Sequence, residues 1–167
     1  MLLWSCHQST TSYTKTMDFG TFTIEAPVSW YQFKEGGMDS YIGGIAVDET
    51  DTLYFDLGWY SNTLTETEIE VITKEMIEEN LNDSADYTVI KNDNTIDNDK
   101  FRKQNVNWTI IDNKRAKIVY PRISGKGRTG VYFNNLWVTE SDNDRFNLNG
   151  NNLKPKNERE LLKLLTL

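Results

Sequence analysis

Three observations predict an α+β fold: a single domain, a mainly antiparallel sheet of about six or seven strands, and two main helices. The chain has 167 residues, the length of one domain with one contiguous core. Runs of alternating apolar residues recur along it, joined by short turn sequences. Only two stretches carry helical spacing, too few to supply the crossovers that a parallel sheet of this size needs.

The elements follow in order. Residues 1–18 read as a polar tether and 19–167 as the folded domain. Thr21-Phe22-Thr23-Ile24-Glu25-Ala26 alternates like a half-buried strand. Pro27 ends it, and Trp30 falls in the turn that follows. Residues 41–47 and 52–58 flank the acidic turn Asp48-Glu49-Thr50-Asp51 and predict a hairpin. Within it, Gly43-Gly44 marks a bulge or a close backbone approach. Thr65-Glu66-Thr67-Glu68 is a capping box, with Ile69, Ile72, Met76, Ile77 and Leu81 on one side of a helix running to about Asn82. Residues 87–91 read as a strand and 92–99 as an Asn/Asp-rich loop. Val106 to Ile111 and Arg115 to Tyr120 form a hairpin about Asp112-Asn113-Lys114. Val131 to Val138 and Arg145 to Asn149 form another. Pro155, suited to a first helical position, opens a final helix through Leu161, Leu162, Leu164 and Leu165.

Charge is unevenly placed. The net charge of −7 argues against sequence-independent nucleic-acid binding. Residues 48–99 hold fifteen acids against two bases, whereas residues 100–128 hold nine bases against Asp112 alone. The two blocks read as facing each other or as solvated faces of neighbouring elements; the functional alternative is a basic face for an anionic partner beside an acidic face. No run approaches the ~18 apolar residues of a membrane-spanning helix.

The only histidine and the only cysteine are His7 and Cys6. From Thr21 onward the chain therefore lacks the commonest general base, the commonest zinc ligands and any Ser-His-Asp or Cys-His nucleophile. Gly125-Lys126-Gly127-Arg128-Thr129-Gly130 matches the spacing of a dinucleotide fingerprint, but a strand pattern follows where that motif requires a helix N-terminus. It reads as a glycine-rich loop between strands. Its alternative is an anion site built from backbone amides with Arg122, Lys126 and Arg128. Asp93, Asp97, Asp99, Asp142 and Asp144 lack the glycine and glutamate positions of a calcium loop and read as turn residues. No metal or cofactor is expected.

Carboxylate catalysis on sugars needs only two acids, and aromatic side chains can stack on sugar rings. Trp30, Trp108 and Trp137 are assigned to core packing, the last two because they share strand faces with aliphatics. Trp59-Tyr60, at a strand end after Gly58, is the better candidate for exposed contact.

Two resemblances add to this. Leu3-Trp4-Ser5-Cys6 resembles the cleavage and lipidation point of bacterial lipoproteins, with Leu three residues before Cys6 and a small residue directly before it. His7 to Thr16 supplies the polar tether expected after an anchored cysteine. The resemblance implies a longer precursor, a lipid anchor on Cys6 and a periplasm-facing place in the cell envelope; without such a precursor the place is cytoplasmic. The nine residues Phe22 to Trp30, opening a domain that ends in a helix, resemble the start of PsbP/Mog1-type proteins. That resemblance implies an α/β/α sandwich on an antiparallel sheet, and action through protein–protein contacts.

The function expected is a lipid-anchored, monomeric binding protein without catalysis, whose partner is a protein or a glycan. The alternatives are a carbohydrate-binding or carboxylate-based carbohydrate-active protein, and an inhibitor or immunity protein that covers a basic toxin with its acidic 48–99 region.

Overall fold

Apolar residues at every second position decide which side of each strand is hidden. Leu53, Phe55 and Leu57 on one strand meet Phe146 and Leu148 on the next, then Val131 and Phe133, then Ala116 and Ile118, all buried in one cluster. In the computed structural model, which describes residues 13–34, 40–64, 102–138 and 143–166, these strands form one antiparallel sheet.

The strands are β1 (Thr14–Asp18), β2 (Thr23–Pro27), β3 (Tyr31–Lys34), β4 (Tyr41–Ala46), β5 (Thr52–Gly58), β6 (Gln104–Ile111), β7 (Lys114–Pro121), β8 (Arg128–Val138) and β9 (Asn143–Asn151). A helix, α1 (Pro155–Leu164), follows. Seven strands lie in the order β3-β4-β5-β9-β8-β7-β6, while β1 and β2 pair as a separate hairpin. That hairpin contributes Met17, Phe19 and Ala26 to the apolar cluster, and α1 contributes Leu161. The ring of Phe55 sits 4.9 Å from Phe19 and 5.1 Å from Phe22, both edge to face, which locks the hairpin onto the sheet. The Tyr41 hydroxyl donates to the Phe19 carbonyl at 2.8 Å and closes the same seam.

The α+β expectation, with two main helices and α/β/α layering, is corrected. The described residues are 60% strand and 9% helical, with one helix, and the fold is β-rich. The expected helix over residues 65–82, the strand at 87–91 and the loop at 92–99 lie outside the described residues. Two strands escaped the sequence pattern. β1 is Thr-Lys-Thr-Met-Asp, polar enough to pass for part of the tether, and β3 is only four residues long.

Local chemistry explains the joints. Asp112 and Asn113 both take positive φ, 48° and 62°, in the two-residue turn between β6 and β7. Gly43 and Gly44 mark a close approach. A side chain on Gly43 would run into the Phe55 ring, and one on Gly44 into the Phe33 ring.

Helix α1 carries Pro155 in its first turn and has no side-chain cap of its own. Its start is held by the β4–β5 turn. One Asp51 oxygen accepts from the Lys154 amide at 2.6 Å and the Asn157 amide group at 2.8 Å. Asp48 accepts from the Thr50 and Asp51 amides, both at 2.9 Å, and from Asn157 and the Lys154 ammonium. The backbone donors of Thr50 and Asp51 hold the Asp48 carboxyl well below its ordinary 3.8, with Asn157 and Lys154 adding to the effect. The hydrogen bond to Asp48 in turn raises the Lys154 ammonium.

A depressed carboxyl stabilises the fold above its unfolded pKa and loses that contribution as pH falls below it. Acidification from about pH 5 to about pH 2 is therefore expected to loosen the start of α1 first. The change is read as altered emission from Trp30, which lines the groove beside Asp48, and Asp48→Asn should flatten the pH dependence. Asp51→Ala removes a buried charged acceptor and should cost about 1.5–3 kcal/mol in urea unfolding, with the slope unchanged. A loss below ~0.5 kcal/mol would refute the role given to Asp51.

Candidate functional site

The second face of the sheet is chemically different from the first. Gln104, Val106, Trp108 and Ile110 of β6 pair with Pro121, Val119, Lys117 and Arg115 of β7. Near the middle of the sheet, Val119 and Tyr132 are buried with Leu64, and Val106 packs against them. Lys117 is buried beside them. Its ammonium donates to the Leu64 carbonyl at 3.1 Å and lies 5.4 Å from the Tyr132 ring centre. Burial pushes the Tyr132 phenol up, and the charge of Arg145 works the other way.

Toward the β6–β7 turn this face comes out into solvent. Trp108 is 46% exposed and Ile110 65%. The Arg115 guanidinium lies 4.3 Å from the Trp108 ring centre, a diagonal cation–π pair across the hairpin. β6 is the last strand of the described sheet, so this patch occupies the sheet's margin.

Assigning Trp108 to the core is thus corrected. It does share a face with Val106 and Ile110, but Ile110 is itself outside. The signal lay in the turn: a two-residue loop at Asp112-Asn113 puts Arg115 and Lys117 opposite Ile110 and Trp108. The exposed Arg115 opposite Ile110 marks a wet margin, whereas Lys117 opposite Trp108 is buried. Trp30 and Trp137 pack in the apolar cluster.

Trp59 and Tyr60 stand outside at the end of β5, 49% and 84% exposed. The turn that carries them is braced from behind. Ser61 donates through its hydroxyl to the Asp56 carbonyl at 2.9 Å. The buried Asn147 side chain donates to the Ser61 hydroxyl at 2.9 Å and to the Asn62 carbonyl at 3.1 Å. Asn149 donates to the Asn147 oxygen at 2.8 Å.

Of the glycine-rich stretch 125–130, the first three residues end the 122–127 connection from β7 to β8, with Gly125 and Gly127 at φ of 80° and 134°, and the last three open β8. The Gly125 amide donates to the buried Glu158 carboxylate at 2.9 Å. The Gly127 amide donates to Asn152 at 2.8 Å, and the Asn152 amide returns a bond of 2.7 Å to the Gly127 carbonyl. Two amides that an anion would need are thereby committed to the β9–α1 corner. Arg122 and Lys126 are exposed, whereas Arg128 is half-buried and donates to Asn151 at 3.3 Å.

Between β3, the β4–β5 turn and α1 lies an open groove of about 500 Å³, lined by Ser29, Tyr31, Glu49, Lys154, Lys156 and Glu160 among others. Its polar groups include the Asp48–Lys154 pair that already holds the helix.

Cys6 lies outside the described residues, as do Asp93, Asp97, Asp99 and Asp142; Asp144 sits in β9 opposite Trp137. Among the described residues no group of three or more His, Cys, Asp or Glu side chains could hold a metal ion. No helix among them is long and apolar enough to cross a membrane. Comparison with family models, with characterised proteins and with solved structures finds no match to this chain.

Removing the brace behind Trp59-Tyr60 should be measurable. Asn147→Ala is expected to cost about 1–3 kcal/mol by stranding buried polar groups. It should also speed hydrogen exchange at the Ser61 amide. Unchanged exchange there would show that the turn holds itself.

Proposed function

We propose that this chain is a non-enzymatic binding protein of the cell envelope, tethered by a lipid on Cys6, that grips a protein partner at its sheet margin. The observation that carries the reading is the exposed Trp108–Arg115 stack with Ile110 beside it. Trp and Arg dominate binding energy at protein interfaces, because a large rigid ring and a planar cation gain much on leaving water. An indole left half in water has hydrophobic stabilisation still to gain, and a partner surface supplies it. The rigid antiparallel hairpin beneath fixes both side chains, so little ordering entropy opposes association.

The anchor rests on the Leu3-Trp4-Ser5-Cys6 pattern and the Ser/Thr-rich stretch after it. One acyl chain binds a membrane only marginally, and a second makes the attachment stable. A periplasm-facing position follows from the same pattern.

Sugar binding is a second reading, favoured by Trp59 and Tyr60 standing exposed on a braced turn. A glycan array without hits on Trp59-bearing protein, alongside unchanged Trp emission on sugar addition, would remove it.

The protein reading is tested by affinity purification of the full chain from native membranes, wild type against Trp108→Ala and Arg115→Ala. Each variant should lose a specific co-purifying protein by ~10-fold or more while unfolding within about 0.5 kcal/mol of wild type. An identical set of co-purifying proteins for all three would overturn it. Cys6→Ser should move the protein from the membrane to the soluble fraction and abolish labelling by a palmitate analogue. Retention of both would overturn the anchor.

A further inference from the structure

We infer that the end of the sheet from which the tether departs rests on the anionic surface of the bilayer, with Tyr31 and Ile123 seated among the lipid headgroups. This inference rests on the anchor proposed above and says which way the anchored domain faces.

The first ground is topology. β4, β7 and β9 run toward this end, and β5, β6 and β8 run away from it. β3 starts there, since Tyr31 lies opposite Ala46. The β4–β5 turn, the 122–127 connection and the β9–α1 corner therefore share one end of the sheet. Contacts join them: Tyr31 lines a single groove with Lys154 and Lys156, and the Gly125 amide donates to Glu158 of α1. β1 starts at the same end, where the Tyr13 carbonyl accepts from the Val28 amide at 3.1 Å.

The second ground is reach. Cys6 and Tyr13 are seven residues apart, so a fully extended tether spans at most about 24 Å. A lipid on Cys6 holds Tyr13 within that distance of the bilayer, whereas a domain of this length is roughly 35–40 Å across. Trp59-Tyr60 and the Trp108–Ile110 patch lie toward the opposite end, near the Gly58–Arg145 pair and the β6–β7 turn. Seating the tether's end on the membrane turns both of them outward.

The third ground is surface chemistry. Tyr13, Tyr31, Ile123 and Val28 are 80%, 68%, 64% and 51% exposed. A tyrosine ring with a polar tip suits the headgroup level of a membrane. The Lys15 ammonium, 4.9 Å from the Tyr31 ring centre, adds a cation there. Ile123 stands in a tight turn closed by the Lys126 amide on its own carbonyl at 2.9 Å. Exposed Arg122 and Lys126 flank it, and residues 122–128 hold no acid. An apolar tip between cations fits an interface that offers phosphates above acyl chains. A bilayer accounts together for the cations, the exposed tips and the exit of the tether. The acids of this chain's own residues 66–99 would answer only the cations.

A photo-crosslinking phenylalanine derivative placed in turn at positions 31, 123, 60 and 110 of the full chain tests this in the native host. Phospholipid adducts should form at 31 and 123 and be absent or minor at 60 and 110. In vesicles bearing the purified lipidated chain, replacing about a third of the phosphatidylcholine by phosphatidylglycerol should raise the adduct yield at 31 at least ~5-fold, and Arg122→Ala with Lys126→Ala should abolish that rise. Equal yields at the two ends, no adducts at 31 and 123, or indifference to anionic lipid overturns the inference. Cross-links from position 123 into residues 65–101 of the same chain, in place of lipid, overturn it too. Labelling by a palmitate analogue that survives Cys6→Ser sinks the anchor and this inference with it. Loss of that labelling, with the adduct pattern absent in the wild type, sinks this inference alone.

Discussion

The strict alternation of β5, β9, β8 and β7 is the constraint on which the rest of the structure depends. Each of these strands buries every second side chain against the same apolar cluster, in registers that align Phe55 with Leu148, Leu148 with Val131, and Val131 with Ile118. A slip of one residue anywhere would turn phenylalanines outward and asparagines inward. The β1–β2 hairpin and α1 sit where they do because that face must be covered. The opposite face is then free to carry Asn147, Asn149, Lys117 and Tyr132, each placed on a rigid lattice by residues whose own positions are settled from behind.

Helix α1 shows how acid and glycine are used here. Its unsatisfied first-turn donors are the sort of place where other folds hold a phosphate. Here the carboxylates of Asp48 and Asp51 come in from the β4–β5 turn, and Glu158 reaches from the helix itself to the glycine loop. The chain supplies its own anions at the positions where a ligand's would go. The spacing of Gly125, Gly127 and Gly130 serves packing: Gly127 turns at positive φ, and Gly130 lies tight against the backbone of Leu148 and Asn149. Asp48, held below the ordinary carboxylate range, is fully ionised at neutral pH and is a poor proton donor. Its chemistry is that of a clamp.

Much of the sheet was legible because its joints are local. Asp112-Asn113 specifies a two-residue turn, Pro155 a helix start, and Gly43-Gly44 a backbone meeting a ring. What was illegible depended on tertiary context. β1 has the composition of a tether and becomes a strand only because β2 pairs with it through all five residues. β3 carries too few residues to show a period. The fold class differs for the same reason: β1 and β3 carry no apolar alternation to reveal them, and they add to the strand content of the described residues. Trp108 was misplaced for a subtler reason, since a shared face with aliphatics does not say whether the face is covered. The cross-strand partners say it, and they were already implied by the turn. Arg115 opposite Ile110 is such a partner.

The margin at β6 and the braced turn at Trp59-Tyr60 are the two places on which the proposed binding reading rests, and binding asks different things of side chains than catalysis does. A catalytic site places groups so that charge or protons shift at the reacting atoms, and its titratable residues are poised near the working pH. At both of these places the polar groups instead fix geometry. Asn147 spends both donors on the turn, Arg115 stacks flat on indole, and the apolar surface is what remains turned to solvent. Free energy is left to be gained there by removing water, and none of the surrounding groups has to change its protonation for that gain to be made. Rigidity beneath and hydrophobic surface above are what the proposed binding reading requires, and they coincide at the margin of the described sheet.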